Sequence, residues 1–549
     1  GGEVQTGAIT STSAAVDAIT LTTSDDGTLQ PTSIDVTGSD LSTLTITNGV
    51  GGRIDLDGAG DTAPITADTI TAATMTLGAA SVTALDLIYG GTTTVAMTTG
   101  STLDLDTIGV AATTSSTTVT GRGTLQGNLD LVGNGALNYS GLETGGALTI
   151  DLNHAGNKTV TTNRYDHVLN AVQASGADKL TTGVGSDAIY ADNAGNKTGY
   201  ATANGTVTGN SGTVTLTVEW QGYTSAAFAA IQAGANITAN ESATAIKSAV
   251  AADPILSKFF TATGAIAAVV FTSKVEGTYA TKPVVTLTAP GTGTVTYIAG
   301  TATAGTEGAG GADTVSASDG IDLVYGGGGA DTLLSGGAGA DVILGAGGAD
   351  SISGGAGADL IIGGVGGDSI SGGTGADTFR MAVGDASPTV AGTGAAGTIT
   401  GFDKISDYAL GTAAANAETI DLLGVTDAVV ANSAGVNGTD GTLTIDGAVV
   451  ASHAITSGIV TFDDANTFAA ALTIDSAADV AAVVQYLLAN DLGNGGDSVA
   501  FVGNGNTYVY TQTTNTAGQT VNLVELTGVS GTSMSATNAT TAGLIDLGV

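Results

Sequence analysis

Between Gly308 and Arg380 eight aspartates return at a nearly constant interval: Asp313, Asp322, Asp331, Asp341, Asp350, Asp359, Asp368 and Asp377. Each lies nine residues after the last, except for one ten-residue step that the extra Ser335 accounts for. The phrase around them repeats, as in GGAGADVIL (Gly336 to Leu344) and GGAGADLII (Gly354 to Ile362). Glycines precede every acid in the stronger turns, among them Gly326, Gly328, Gly336, Gly345, Gly347, Gly354, Gly363 and Gly372. They allow tight bends that other residues reach only at a cost, and they leave backbone carbonyls open to a ligand. Carboxylate and carbonyl oxygens, about six around one ion at about 2.3 to 2.6 Å, are what Ca²⁺ prefers, whereas Mg²⁺ demands a tighter octahedron and keeps its waters. The expected cofactor is therefore Ca²⁺, bound many times over. A phosphate cradle does not fit, because no basic residue occurs between Gly308 and Phe379.

Such ligands need a scaffold that repeats with them. The half of each phrase that reads Asp-x-apolar-x extends as a short strand and the glycine-rich half turns, so the chain winds as a coil. The apolar position (Val315, Val324, Leu333, Ile343, Ile352, Ile361, Ile370, Phe379) points inward, and stacked turns build an aliphatic core that one repeat could not bury. The aspartates are placed at the rim. Successive turns face opposite sides, which aligns Asp313 with Asp331 and Asp322 with Asp341. Like charges then stack roughly 5 Å apart, so the segment is expected to unfold without calcium and fold with it. Two further turns, SGADKLT and TGVGSDAIY, carry Asp178 and Asp187 at the same spacing well upstream.

Composition sets the surroundings. Carboxylates outnumber Lys plus Arg by 50 to 12, for a formal net charge of -38. That surface repels nucleic acid and anionic membrane and attracts divalent cations. There is no cysteine, which excludes disulfides and thiolate chemistry, and no apolar run approaches membrane-spanning length. The chain starts at Gly1 without a leader, as a fragment or a processed product would.

The predicted fold is mainly β: a parallel β-roll or β-solenoid with a β-rich N-terminal region, a small inserted α/β domain and a C-terminal α+β segment. Residues 1–170 alternate apolar and polar with Gly punctuation, as in TLTITNG and TLDLDTIG, and read as a solenoid in preference to a sandwich. Asp55, Asp57 and Asp61 look like a calcium loop but miss the EF-hand spacing and read as a solvated turn. The first repeat turns occupy 171–191. Residues 192–305 change grammar to strand, helix, strands, with Asn240 capping a helix ESATAIKSAVAA and Asp253-Pro254 starting another. Trp220 and Tyr223 read as core and rim residues. The roll fills 306–385. Within 386–549, GFDKISDYALG followed by ETIDLLGV resembles the phrase that often ends the roll of RTX-type secreted proteins, which implies that Asp403, Asp407 and Asp421 cap the last calcium row; Ser476 and Asp479 are placed to cap a helix over Ala478 to Asn490, and Gly503 to Asn506 to turn a hairpin.

The nonapeptide resembles the RTX family, whose consensus GGxGxDxUx it matches in most turns; Ala317 to Tyr325 lacks the first two glycines. The succession of helix, GDSVAF, NTYVY and LVELTGV after the repeats resembles the end of Caulobacter-type S-layer proteins. That resemblance implies type I secretion, with LIDLGV near the end in the signal region, and a location on the bacterial surface. It also implies a structural subunit that folds and self-assembles outside the cell on binding calcium. The expected partner is the protein itself, in a lattice or filament, with cell-surface polysaccharide reached through an N-terminal anchor outside this sequence. An RTX adhesin or biofilm-matrix binding protein is the alternative. A polysaccharide-active enzyme is the weakest reading: His154, His167 and His453 lie in no HExxH, no serine lies in GxSxG, and Trp, Lys and Arg are scarce. His154 beside Asp151 and His167 beside Asp166 read as solvent-facing polar residues of β loops.

Overall fold

The computed structural model describes residues 310–382 without a break, most of 114–309 and 384–548, and before residue 114 chiefly strand segments. Two compact units appear: residues 1–195 with 308–327, and residues 196–307 with 328–549.

The first unit is a parallel coil with two stacks of strands. One stack runs Thr114–Gly121, Asn134–Asn138, Thr159–Thr161, Lys179–Thr181 and Thr314–Ser316, all parallel and in register. The other runs Asn128–Leu131, Thr149–Asp151, Val168–Asn170, Ala188–Tyr190 and Leu323–Gly328. Period-two strands place one apolar residue per rung inward, and register aligns them. Leu137, Val160, Leu180 and Val315 form one buried aliphatic ladder; Ile150, Leu169, Ile189 and Val324 form the other. Parallel pairing throughout identifies residues 114–190 as a solenoid. Its upper rungs skip more than a hundred residues of chain, since Leu180 pairs with Val315 and Ile189 with Val324.

The second unit holds a coil of the same kind. Leu333–Ala338, Ser351–Ala356, Ser369–Thr374 and Asp403–Ile405 stack on one face. Val342–Gly347, Leu360–Val365, Thr378–Met381 and Thr419–Leu422 stack on the other. Leu334, Ile352, Ile370 and Ile405 fill one side of the core, and Ile343, Ile361, Phe379 and Ile420 fill the other. The expectation for Leu333 is corrected. Leu334 pairs with Ile352 and is fully buried while Leu333 is half-buried. The extra residue therefore sits at Thr332–Leu333, ahead of the core position, and not at Ser335, which pairs with Ser353.

Residues 196–307 form antiparallel sheets. Val214–Trp220 pairs with Val284–Ala289, and Lys197–Ala203 with Ala268–Glu276. Trp220 is buried edge-on against Phe259 and Phe260, and the Tyr223 hydroxyl donates to Asp253. Helix Ala239–Ala252 is capped by Thr238 and Glu241 acting reciprocally, so the cap stands two positions before the expected Asn240. The Asp253 carboxylate accepts from the amides of Ile255 and Leu256 at the start of helix Leu256–Phe259.

Toward the C-terminus, helix Ala477–Ala489 begins with the Ser476–Asp479 capping box and packs Val480, Val483, Val484 and Leu487 into a core with Phe462, Phe501, Tyr508 and Leu523. Strands Asp497–Gly503 and Asn506–Gln512 form a hairpin whose central Asn504 and Gly505 both have positive φ, the signature of a type I′ turn. Strand Val521–Leu526 joins this hairpin to Asp403–Ile405.

Candidate metal centre in two columns of buried aspartates

The repeat aspartates do not lie at the rim; all eight, with Asp178 and Asp187, are at most 3% exposed. Burial follows from a local need. Each turn offers the amide of its aspartate to the next, and the next aspartate turns inward to accept it. Asp331 N donates to Asp350 Oδ1 at 2.8 Å, Asp350 N to Asp368 Oδ1 at 2.9 Å, and Asp368 N to Asp403 Oδ1 at 3.0 Å. On the other face Asp341 N donates to Asp359 Oδ1 and Asp359 N to Asp377 Oδ1, both at 2.9 Å. In the first unit Asp178 N donates to Asp313 Oδ1 and Asp187 N to Asp322 Oδ1, both at 2.6 Å. Asp403 thus extends one column beyond the last nonapeptide. Asp407 lies at the end of the other column, beside the cradle glycine of Asp377, accepting from Ser371 Oγ and the Gly372 and Gly373 amides. Asp421 lies in the strand Thr419–Leu422, opposite Arg380 in register.

Only one oxygen of each carboxylate is used this way. The Oδ2 atoms of Asp178, Asp359, Asp368, Asp377 and Asp403 are buried and have no hydrogen-bond partner. A buried carboxylate oxygen left in that state is costly unless a cation or proton attends it. The glycines five positions upstream face the same point. A Cβ on Gly336, Gly345, Gly354, Gly363 or Gly372 would collide with Oδ2 of Asp341, Asp350, Asp359, Asp368 or Asp377 respectively. A Cβ on Gly336, Gly345 or Gly354 would also meet the carbonyl oxygen of Gly354, Gly363 or Gly372 in the next turn. A carboxylate oxygen and a glycine carbonyl therefore converge on ground that a side chain would fill. This donor set, anionic and neutral hard oxygens, fits Ca²⁺. Among the described residues no three His, Cys, Asp or Glu side chains gather as a ligand cluster.

The other glycines place differently. Gly326 and Gly328 lie in strand Leu323–Gly328, where the Gly326 carbonyl accepts the Asp192 amide. Gly347 ends strand Val342–Gly347 opposite Val365. The second turn position needs glycine for backbone reasons: φ is +105° at Gly337, +117° at Gly355 and +101° at Gly373. Ala346 occupies that position at +78°.

Electrostatics agree with the geometry. Burial pushes Asp359 and Asp368 up to about 7, with the charges of stacked aspartates adding to the rise. Asp178 rises to about 7 for the same first reason, and Asp403 stands well above the usual carboxylate range.

Both columns of the first unit end in residues that are not acids. Lys158 holds the column position before Asp178: its amide donates to Asp178 Oδ1 at 2.7 Å, and it is 1% exposed. Its ammonium lies 2.5 Å from the Gly133 carbonyl and 3.0 Å from the Gly156 carbonyl. His167 holds the matching place before Asp187, and its amide donates to Asp187 Oδ1 at 2.6 Å. Nδ1 accepts the Leu148 amide and Nε2 faces Asn163 Oδ1; burial lowers its pKa to about 4, so the ring is neutral. His167 is thus a buried structural residue and not the solvent-facing one expected. His453 is buried too, against the Tyr486 hydroxyl. His154 and the Asp55–Asp57–Asp61 loop lie outside the described residues. The sequence does not mark these roles of Lys158 and His167, because neither is an acid and each stands 20 residues before the aspartate its amide reaches, where the repeats of the roll stand 18 apart.

Residues 307–343, 335–370 and 344–379 match the RTX calcium-binding nonapeptide repeat (4 copies). These are calcium-binding repeats of hemolysin type, carried on a β-roll, and they bind several Ca²⁺ ions. No curated protein matches the chain.

Proposed function

We propose that this chain is a structural subunit of a bacterial surface layer or surface filament, exported by a type I system and folded by calcium after export. The reading rests on one observation above others: buried aspartate oxygens without partners, repeated turn after turn beside a glycine cradle. Asp178, Asp187 and the eight repeat aspartates would hold the ions through Oδ2, together with carbonyls of the glycine turns. Where calcium is scarce the charged columns oppose folding and keep the chain open for export. At extracellular levels, modules of this type fill at Kd of about 10⁻⁴ to 10⁻³ M. An excess of 38 negative charges gives calcium a second place, between neighbouring copies. Among the described residues no helix is long and apolar enough to cross a membrane.

The test is to strip calcium with a chelator, restore it, and follow β-structure by circular dichroism beside electron microscopy. Refolding accompanied by ordered sheets or fibres is expected. Refolding to a monomer that stays single at high concentration would favour an adhesin. Full β-structure in chelator would remove the basis of the reading.

A further inference from the structure

Asp192 belongs to no nonapeptide and lies outside the matched repeats, yet it is 1% exposed. It follows strand Ala188–Tyr190, at the point where the chain leaves the coil, and its Oδ2 accepts the Gly311 amide at 2.6 Å from a residue 119 positions later. Gly311 is where the chain returns, two residues before Asp313. The carboxyl groups of Asp192 and Asp313 are close enough to act on each other, and Asp178 acts on the same charge. Two carboxylates set against each other inside a protein repel unless a proton or a cation lies with them. Asp192 Oδ1 has no hydrogen-bond partner, nor has Asp178 Oδ2, and both are buried.

We propose that Asp192 and Asp313 form an additional calcium site, with two carboxylates on one ion, that clasps the departing and returning ends of the chain. The inference rests on the calcium reading of the columns. Nothing in the repeat pattern requires it, since Asp192 stands outside the nine-residue spacing of the repeat aspartates. A second carboxylate on a hard cation strengthens binding, so this site fills before the single-aspartate turns. The clasp would close an excursion of more than a hundred residues early and bring Asp187 and Asp322 into register for the next rung.

The test is stepwise calcium binding to the full chain by titration calorimetry, with Asp192→Asn and Asp368→Asn beside the wild type. The amide side chain of the Asp192→Asn variant keeps an oxygen for the Gly311 amide and removes only the charge. The tightest binding step is expected to weaken by about tenfold or more in Asp192→Asn. Asp368→Asn should spare that step and weaken later ones. If Asp192→Asn superimposes on wild type while Asp368→Asn does not, the pair shares a proton and the clasp is wrong, with the column reading intact. If neither variant differs, the column reading fails as well. A wild-type measurement guards against a variant that does not fold: at limiting calcium the Gly311 amide should gain exchange protection before those of Asp350 and Asp359. Protection that arrives together or later overturns the proposal.

Discussion

The coil of residues 134–170 and the coil of residues 331–405 share their geometry and differ in how they neutralise it. Both stack parallel strands in register over a ladder of Val, Leu and Ile. In 331–405 every turn presents its aspartate amide to a side chain in the next, and in 134–170 the Leu148 amide goes likewise to His167 Nδ1. In 331–405 that side chain is always aspartate, and its second oxygen faces glycine carbonyls with nothing covalent to balance the charge. In 134–170 the place belongs to Lys158, whose own ammonium sits on the Gly133 and Gly156 carbonyls, and to a neutral His167. One region carries a cation on a side chain of its own; the other, on the reading proposed, collects it from solution. On that reading, metal dependence would be a property of a single position per turn, laid over a common scaffold.

Exchanging that position should break the contrast most strongly. Asp350→Ala with Asp368→Ala removes two successive aspartates of one column and leaves the Asp331 and Asp350 amides without acceptors. The calcium midpoint for folding, followed by circular dichroism, should rise by about tenfold or more, since each 1.4 kcal/mol is a factor of about ten. An unchanged midpoint would show that these aspartates are not ligands. Gly354→Ala tests the cradle without touching a carboxylate. Its Cβ would press on Asp359 Oδ2 and the Gly372 carbonyl, so the same midpoint should rise several-fold while residues 134–170 keep their stability.

Lys158→Met preserves length and removes charge. Carbonyls of Gly133 and Gly156 lose their donor, and the coil of 134–170 should lose about 1–3 kcal/mol in denaturant unfolding. A loss of a few tenths would mean that Lys158 only fills space.

Acid should act as a poor substitute for metal in the roll. Asp359 and Asp368 stand near 7 when buried and near 4 when unfolded, so the folded form holds protons that the unfolded chain has released. The resulting stability is complete below about 4 and is lost as pH rises through about 7. In chelator, β-structure should therefore be greater at pH 5 than at pH 8. With calcium present, acidification should weaken metal binding, because protons compete for the same oxygens. The smallest effect belongs to Ala346→Gly. Ala346 holds φ of +78° where neighbouring turns have glycine, and relief of that strain should stabilise the calcium-loaded roll by about 1 kcal/mol, read from its thermal midpoint.

The roll is legible because its physics is periodic: one aspartate, one inward apolar residue and a glycine bend every nine residues leave a written trace. Even there the text misplaces the insertion, since a ten-residue step does not say which residue bulges; burial of Leu334 in place of Leu333 decides it. The rim position expected of the aspartates fails for a related reason. Charge suggests exposure, but an unpaired amide in each turn draws the carboxylate inward. Lys158 and Asp192 are not legible at all. Ala136 pairs with Thr159 and Thr159 with Lys179, steps of unequal length, and Lys179 pairs with Thr314 across the whole of residues 196–307. Such contacts exist only once the chain has folded. By contrast the Ser476 capping box and the Asn504-Gly505 turn are local, and both are readable.

Amide hydrogen exchange on the full chain, resolved by residue with and without chelator near pH 7.5, tests the central contrast most directly. The amides of Asp350, Asp359 and Asp368 should lose their protection when calcium is removed, while those of Leu148, Lys158 and His167 keep theirs. Equal protection of both sets in chelator would contradict the account, because the buried carboxylates would then be tolerated without any ion.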